Sequence, residues 1–409
     1  MKKFISILLV CVMALLWLPA FSMATETESP TQETAEITIT EEKTEESDVA
    51  LPVPSALQFD ENGQFQIMIF ADIQDNENVE ESTLQLMREF LDKYTPDMVV
   101  FLGDNSVDRS LEGYAKSVEA FTLPCRERNI PHAFVFGNHD TELDATPEEL
   151  LDIYKQFGTL TYDADPDLYG CGNCNLPILS SDGTKTAFNL WLFDSGSKHP
   201  DTEIGGYDCV RKDQIEWYKN TAAKLKEENG GEPVPSMLFQ HIIMPEVYET
   251  LYPKLPFTAG KDYTIKGKTY FPVPFFNRHS GIILEPCSPP FVSEGQFDAL
   301  LEVGDVLAAF HGHDHVNDFR TDCYGIEVIN VPTVGCSAYS DAISRGAGFI
   351  TLNENEPENY TYQTLYHFDM ALEEGSLLPS IEGRDSTFYY KLVKFFRQKI
   401  LDGFHNLFL

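Results

Sequence analysis

Three apolar runs of strand length, each ending in a small polar cluster and each separated from the next by a helical pattern, limit what this chain can become. The runs are 65–71 (FQIMIFA), 98–102 (MVVFL) and 132–136 (HAFVF). Between them, 80–94 (EESTLQLMREFLDKY) and 111–128 space their apolar residues as helices do. Strand, helix, strand, helix, strand is the rhythm of an α/β core in which helices cover a largely parallel sheet. The same reading predicts strands at 187–193, 236–240 and 305–310, others near 324–331 and 347–352, and a helix at 211–228. With 43% hydrophobic and 12% aromatic residues, the chain has ample material for a packed core.

The two ends read differently. Lys2 and Lys3 precede an apolar run over 4–21, and Ser22-Met23-Ala24 is a small-x-small cleavage pattern. Residues 1–24 are read as a signal peptide, with an uncleaved anchor as the alternative, and either implies a secreted or extracytoplasmic location. Residues 25–57 are Thr/Glu-rich and nearly free of aromatics, the composition of a disordered linker. The folded body is then expected over 58–370, followed by a tail over 371–409. Within that tail 386–409 is aromatic-rich and carries Lys391, Lys394, Arg397 and Lys399. It is predicted as an amphipathic helix that packs on the body or makes peripheral contact with anionic lipid.

A formal net charge of −36 disfavours nucleic acid, and none is expected as a partner, because binding a polyanion needs a basic face. A small phosphorylated substrate remains compatible, since bound cations invert the field inside a site. Of eight cysteines, Cys11 leaves with the signal, and the odd remainder requires a free thiol or an intermolecular bond. Cys171 and Cys174 form a lone CxxC, read as a local disulfide or two ordinary thiols. Two Gly/Pro-rich insertions, 160–185 and 245–296, are read as lining a substrate cleft.

Five polar clusters stand at predicted strand ends: Asp72-Ile73-Gln74, Gly103-Asp104-Asn105, Gly137-Asn138-His139-Asp140, His241, and Gly312-His313-Asp314-His315. In α/β sheets ligands bind beyond the carboxyl ends of strands, so scattered clusters can converge on one pocket. Carboxylate, amide oxygen and imidazole together suit a pair of divalent cations such as Mn²⁺, Fe or Zn²⁺, and Asp104 could bridge them. The glycines beside Asp104, Asn138 and His313 let the backbone turn sharply. Singly, each cluster has an ordinary structural reading: a GD is more often a turn, and His241 a satisfied core histidine. In this order, each after an apolar strand, they are specific.

The pattern resembles the calcineurin-like metallophosphoesterase superfamily, DxH…GD…GNH(D/E)…H…GHxH, from about Phe65 to Phe319. Within it, DSG at 194–196, GYDCVRKDQIEWYK, FQHIIMPE and AAFHGHDHVNDF are similar to the purple acid phosphatase-like proteins of the Dcr2 type. The resemblance implies a metallo-dependent phosphatase-like fold, a β-sandwich of central sheets flanked by helices in four layers. It implies one metal on Asp72, Gln74, Asp104 and His315, and a second on Asp104, Asn138, His241 and His313. His139 would act on the leaving group with Asp140 orienting its ring, while a cation-acidified water attacks phosphorus. Arg109 is a candidate phosphate clamp, or else a surface ion pair. A phosphomonoesterase is favoured. A phosphodiesterase, or a degenerate non-catalytic binder of phosphorylated ligands, is the alternative. Two departures stand out. Gln74 occupies the place of the motif's histidine, and Val107 that of the purple enzymes' tyrosinate, so no charge-transfer colour is expected.

Overall fold

The computed structural model describes residues 56–251, 279–340 and 344–371, together with the backbone of two short strands at 263–265 and 268–270. The predicted signal peptide, nearly all of the linker, the tail helix over 386–409 and part of the 245–296 insertion lie outside the described residues. Among those described, no helix is long and apolar enough to cross a membrane.

The first half alternates as the periodicity predicts: β1 (Gln64–Phe70), α1 (Glu81–Tyr94), β2 (Met98–Leu102), α2 (Leu111–Arg126) and β3 (His132–Val135). Every residue of β2 is buried, which is why it reads as an unbroken apolar run. Ser110 caps α2 by accepting from the Gly113 amide at 3.0 Å. A further helix, α3 (Pro147–Gln156), follows. It opens on a Thr146/Glu149 capping box with proline in its first turn.

The second half runs β4 (Cys174–Leu179), β5 (Thr186–Leu192), α4 (Lys212–Glu228), β6 (Ser236–Phe239) and α5 (Val247–Leu251). After β7 (Tyr263–Ile265), β8 (Lys268–Tyr270) and β9 (His279–Ile282) come α6 (Gln296–Val303) and β10 (Val306–His311). The chain closes with β11 (Asp318–Cys323), β12 (Ile326–Asn330), β13 (Gly346–Asn353), β14 (Thr361–Tyr366) and α7 (His367–Ala371).

Apart from the β7-β8 pair, these strands form two mixed sheets rather than one largely parallel sheet. One has the order β14-β13-β1-β2-β3, the other β4-β5-β6-β10-β12-β11-β9. The strands followed by crossover helices are parallel, β1-β2-β3 in one sheet and β5-β6-β10-β12 in the other. The antiparallel strands return through short connections, as at Tyr324-Gly325, where both residues have positive φ and join β11 to β12. The 160–185 insertion carries structure of its own. It contains β4, the edge strand of the large sheet, three places from β10.

Alternation along β1 explains the layering. Phe65, Ile67 and Ile69 face an inter-sheet core with Phe188, Leu190, Phe239 and Phe310. Met68 and Phe70 face the opposite way, toward Phe90 of α1 and Phe121 of α2. The far side of the large sheet packs Trp191, Leu238 and Val328 against Ile215 and Tyr218 of α4 and Leu300 of α6. The result is helix, sheet, sheet, helix. Each fully buried large side chain stabilises it by about 1.5–3 kcal/mol.

Candidate metal centre

The carboxyl ends of β1, β2, β3, β6 and β10 meet at one edge of the inter-sheet core, and their clusters converge there. Asp72 and Asp104 follow β1 and β2 in neighbouring loops, bonded through Asp72 N to Gly103 O at 3.1 Å and Gln74 N to Asp104 O at 2.9 Å. Both carboxylates also accept backbone amides from other ligand-bearing loops. His139 N donates to Asp104 Oδ1 at 2.7 Å, and His313 N donates to Asp72 at 3.1 Å. Gly103, at φ 86°, is required where it stands, because a Cβ there would lie 2.6 Å from His241 Nδ1. Asp72, Gln74, Asp104 and His313 adopt φ of 53°, 46°, 48° and 73°, the left-handed region. Such conformations cost about 1–3 kcal/mol each and gather at functional sites.

Two groups of ligand atoms result: Asp104, His241 and His313; and Asp72, Asp104 and His315. Within each group the atoms lie inside 4.8 Å of one another, and all five residues are buried. His241 donates from Nδ1 to Leu102 O, and His315 from Nδ1 to Tyr339 O, each at 2.9 Å. Those bonds fix the tautomer and turn each Nε2 lone pair inward, the usual orientation of a ligating histidine. His241 Nε2 lies 3.2 Å from Asp104 Oδ2 without hydrogen-bond alignment, and His315 Nε2 lies 3.4 Å from Asp72 Oδ1.

Three buried atoms on these loops stand out. Asn138 Oδ1, His241 Nε2 and His313 Nε2 have no hydrogen-bond partner. A buried polar atom left unpaired costs about 1–3 kcal/mol, and the two imidazole nitrogens stand with the Asp104 carboxylate in a donor set suited to a cation. Charge agrees. Burial pushes the His313 ring down to about 3 and the His315 ring down to about 4, keeping both in the neutral form that ligates. Burial opposes charging His241 too, but the adjacent Asp104 carboxylate outweighs it and lifts that ring to about 10. A cation would displace that proton.

Gln74 reaches the same centre but turns a donor toward it: Nε2 donates to Asp104 Oδ2 at 2.9 Å. Asp140 needs correction as the group that orients His139. Its carboxylate accepts from the Asn105, Ser106 and Gly137 amides and the Tyr114 hydroxyl, tying the loops after β2 and β3 together from behind. Burial, then Asp104, pushes it up to about 6. The carboxylate beside the His139 ring is Glu142, with Oε2 3.2 Å from Nδ1. Arg109 needs correction as an open phosphate clamp. Its guanidinium lies 2.6 Å from Glu142 Oε2 and donates to Glu142 O, and its side chain is 63% exposed.

Several neighbours of the centre were not apparent from sequence. Tyr207 packs perpendicular to the His313 ring, with centroids 4.3 Å apart at 85°. Tyr339 stacks on His315 at 4.1 Å and 7°. Ser197 Oγ donates to Asn138 O at 2.9 Å. The only signal for Ser197 and Tyr207 was their place in or beside the DSG and GYDC segments. Glu142 and Tyr339 had none. The cysteines beyond the predicted signal are all free thiols, Cys171 and Cys174 among them.

Comparison with known proteins agrees with this geometry. Over 280 residues the chain is 31% identical to "Probable inactive purple acid phosphatase 14" of Arabidopsis thaliana, covering 63% of each. It is 28% identical over 327 residues to "Probable inactive purple acid phosphatase 29" of the same plant, covering 71% of this chain and 78% of that one. It is 28% identical over 309 residues to "Phosphatase DCR2" of Saccharomyces cerevisiae, covering 66% of this chain but 49% of that one. The chain thus spans under two thirds of the first relative's length and about half of DCR2. Residues 65–317, from β1 to the brink of β11 and including every ligand-bearing strand end, match the calcineurin-like phosphoesterase family, and to that family the chain belongs.

Proposed function

We propose that this protein is an exported, metal-dependent phosphomonoesterase acting on small phosphorylated substrates. The observation that carries the reading is the gathering of buried carboxylate and imidazole atoms of Asp72, Asp104, His241, His313 and His315 within two small groups, with Nε2 of His241 and of His313 lacking any hydrogen-bond partner. Asp104, Asn138, His241 and His313 would hold one cation, and Asp72, Asp104 and His315, with Gln74 at the edge, a second. Divalent cations of the Mn, Fe or Zn class supply Lewis acidity toward a phosphoryl oxygen and acidify a water nucleophile.

The chain's own groups would do the rest. His139 is anchored by its main-chain bond to Asp104 Oδ1 and by Glu142 at Nδ1. With the side chain 39% exposed, Nε2 is left to hold a proton for the departing alcohol oxygen. Asp140 keeps the loops that carry Asp104 and His139 in register. Export rests on the 1–24 signal pattern, and contact with anionic lipid on the 386–409 segment. Turnover of p-nitrophenyl phosphate against bis-p-nitrophenyl phosphate with Mn²⁺ tests the reaction. The monoester should be hydrolysed faster; a preference for the diester would make the protein a phosphodiesterase.

A second reading is favoured by one contact. Gln74 presents an N–H, not an oxygen, to Asp104, which disfavours a cation on that side. The relatives called "Probable inactive" purple acid phosphatases are compatible with a degenerate centre that binds phosphorylated ligands without cleaving them. One metal per chain with no turnover of either ester would favour it over the enzyme.

A further inference from the structure

Between β5 and α4 the chain leaves the sheet at Asp194 and returns at Asp208 as a short two-stranded ribbon. Asp208 N donates to Ser197 O at 2.9 Å, and His199 N to Gly206 O at 3.1 Å. These bonds flank Lys198 and Tyr207, which oppose each other in an antiparallel bridge. That register makes them a non-hydrogen-bonded pair, in which opposed side chains leave the ribbon on one face with Cα atoms about 4.5 Å apart. Where Tyr207 points, Lys198 points too.

Tyr207 points at the centre. Its ring lies perpendicular to that of His313 with centroids 4.3 Å apart, and Asp104, Asp314, Glu142 and Glu285 are all near enough to act on it electrostatically. The ribbon is held in place. Ser197 Oγ bonds Asn138 O, Asp208 is gripped by Arg211 and by the Tyr169 hydroxyl at 2.6 Å, and Phe291 lies on its turn. Only glycine suits position 206, at φ 73°, since a Cβ would come within 2.8 Å of the Phe291 ring.

Both partners are uncommitted. Among the described residues the Tyr207 hydroxyl has no hydrogen-bond partner, and the exposed Lys198 ammonium has no carboxylate partner. In a chain with 65 acidic and 29 basic side chains, an exposed lysine set opposite Tyr207 and without an acid is informative. Glu142 and Glu285 repel a second negative charge on a substrate. Lys198 is placed to accept it.

We propose that Tyr207 and Lys198 form a substrate subsite: the Tyr207 hydroxyl donates to a phosphoryl oxygen, and Lys198 receives a second anionic group carried by the leaving alcohol. The substrate class is then small phosphate monoesters bearing a carboxylate or a further phosphate. This rests on the phosphomonoesterase reading above.

The test compares phenyl phosphate with 3-carboxyphenyl phosphate, whose leaving groups are nearly matched, using the full chain with Mn²⁺. The wild type should prefer the carboxylated ester. Lys198→Ala should lower that preference in kcat/KM by about fivefold, the size of an exposed ion pair, chiefly through KM. Lys198→Arg should keep it. Tyr207→Phe should lower kcat/KM for both esters together, by about tenfold, as loss of a hydrogen bond to a charged group does. Turnover of both esters with a preference unmoved by Lys198→Ala, or with Tyr207→Phe as active as wild type, overturns the subsite alone. No turnover of either ester by the wild type removes the phosphomonoesterase reading, and the subsite with it.

Discussion

The two groups of ligand atoms share Asp104 but differ in what faces it. Around Asp104, His241 and His313, Nε2 of each histidine has no hydrogen-bond partner. Around Asp72, Asp104 and His315, an amide N–H from Gln74 already occupies Asp104 Oδ2 at 2.9 Å. That oxygen also lies 3.2 Å from His241 Nε2, but the amide that engages it belongs to the loop of Asp72. That side must first give up a hydrogen bond, or turn the Gln74 amide over so that its oxygen faces inward. Two positions bridged by one carboxylate can therefore differ in affinity through a single side chain, with no change of fold.

Asp104→Ala strikes both positions at once and should have the largest effect. Bound metal should fall to near zero by elemental analysis, and turnover by about 10³-fold or more. Retained metal would show that the two positions do not depend on a common ligand. His139→Ala should cost about 10²-fold or more in kcat while both positions keep their metal. A parallel loss of metal would move His139 into the ligand set. Gln74→His acts on the weaker side only. It should tighten binding of the second equivalent by about tenfold or more in a Mn²⁺ titration, and an unaltered isotherm would end the proposed asymmetry.

Acid should empty both positions, because His313 and His315 bind only as neutral rings. The fold has an acid sensitivity of its own, which must be separated from metal release. Burial against Phe101 pushes the His132 ring down to about 3. Between the unfolded value of about 6.5 and that folded value, only the unfolded chain takes up the proton. Stability from this group is complete above about 6.5 and falls as pH drops toward 3. His132→Phe should recover up to about 2 kcal/mol at pH 5 in thermal unfolding, without moving the pH at which metal leaves. A coincident shift in metal release would mean that acid empties the centre by unfolding it.

The strand ends were legible because each ligand cluster follows a run too apolar to be anything but buried. β1, β2, β3, β5, β6, β10 and β13 fall within about two residues of their predicted positions. β11 (DFRTDC) and β14 (TYQTLY) escaped notice because polar residues alternate through them. Helix α3 is short, and its Thr-Pro-Glu-Glu start was a signal that went unused. The roles of Asp140 and Glu142 could not be told apart. Which carboxylate meets the His139 ring depends on the turn after β3, which no periodicity encodes. Tyr207 was hidden for a similar reason: its position depends on a ribbon register and on His313, more than a hundred residues away.

Asp72, Asp104 and Asn138 hang from the small sheet, whereas His241, His313 and His315 hang from the large one. The oily layer between the sheets attracts without direction and would tolerate a slip of one face over the other. An ion gripped from both sides would act as a rivet through that seam, fixing the register of the two layers as well as their separation. Heat resistance of the sandwich should then rise as metal is loaded, giving a readout of occupancy that needs no substrate at all.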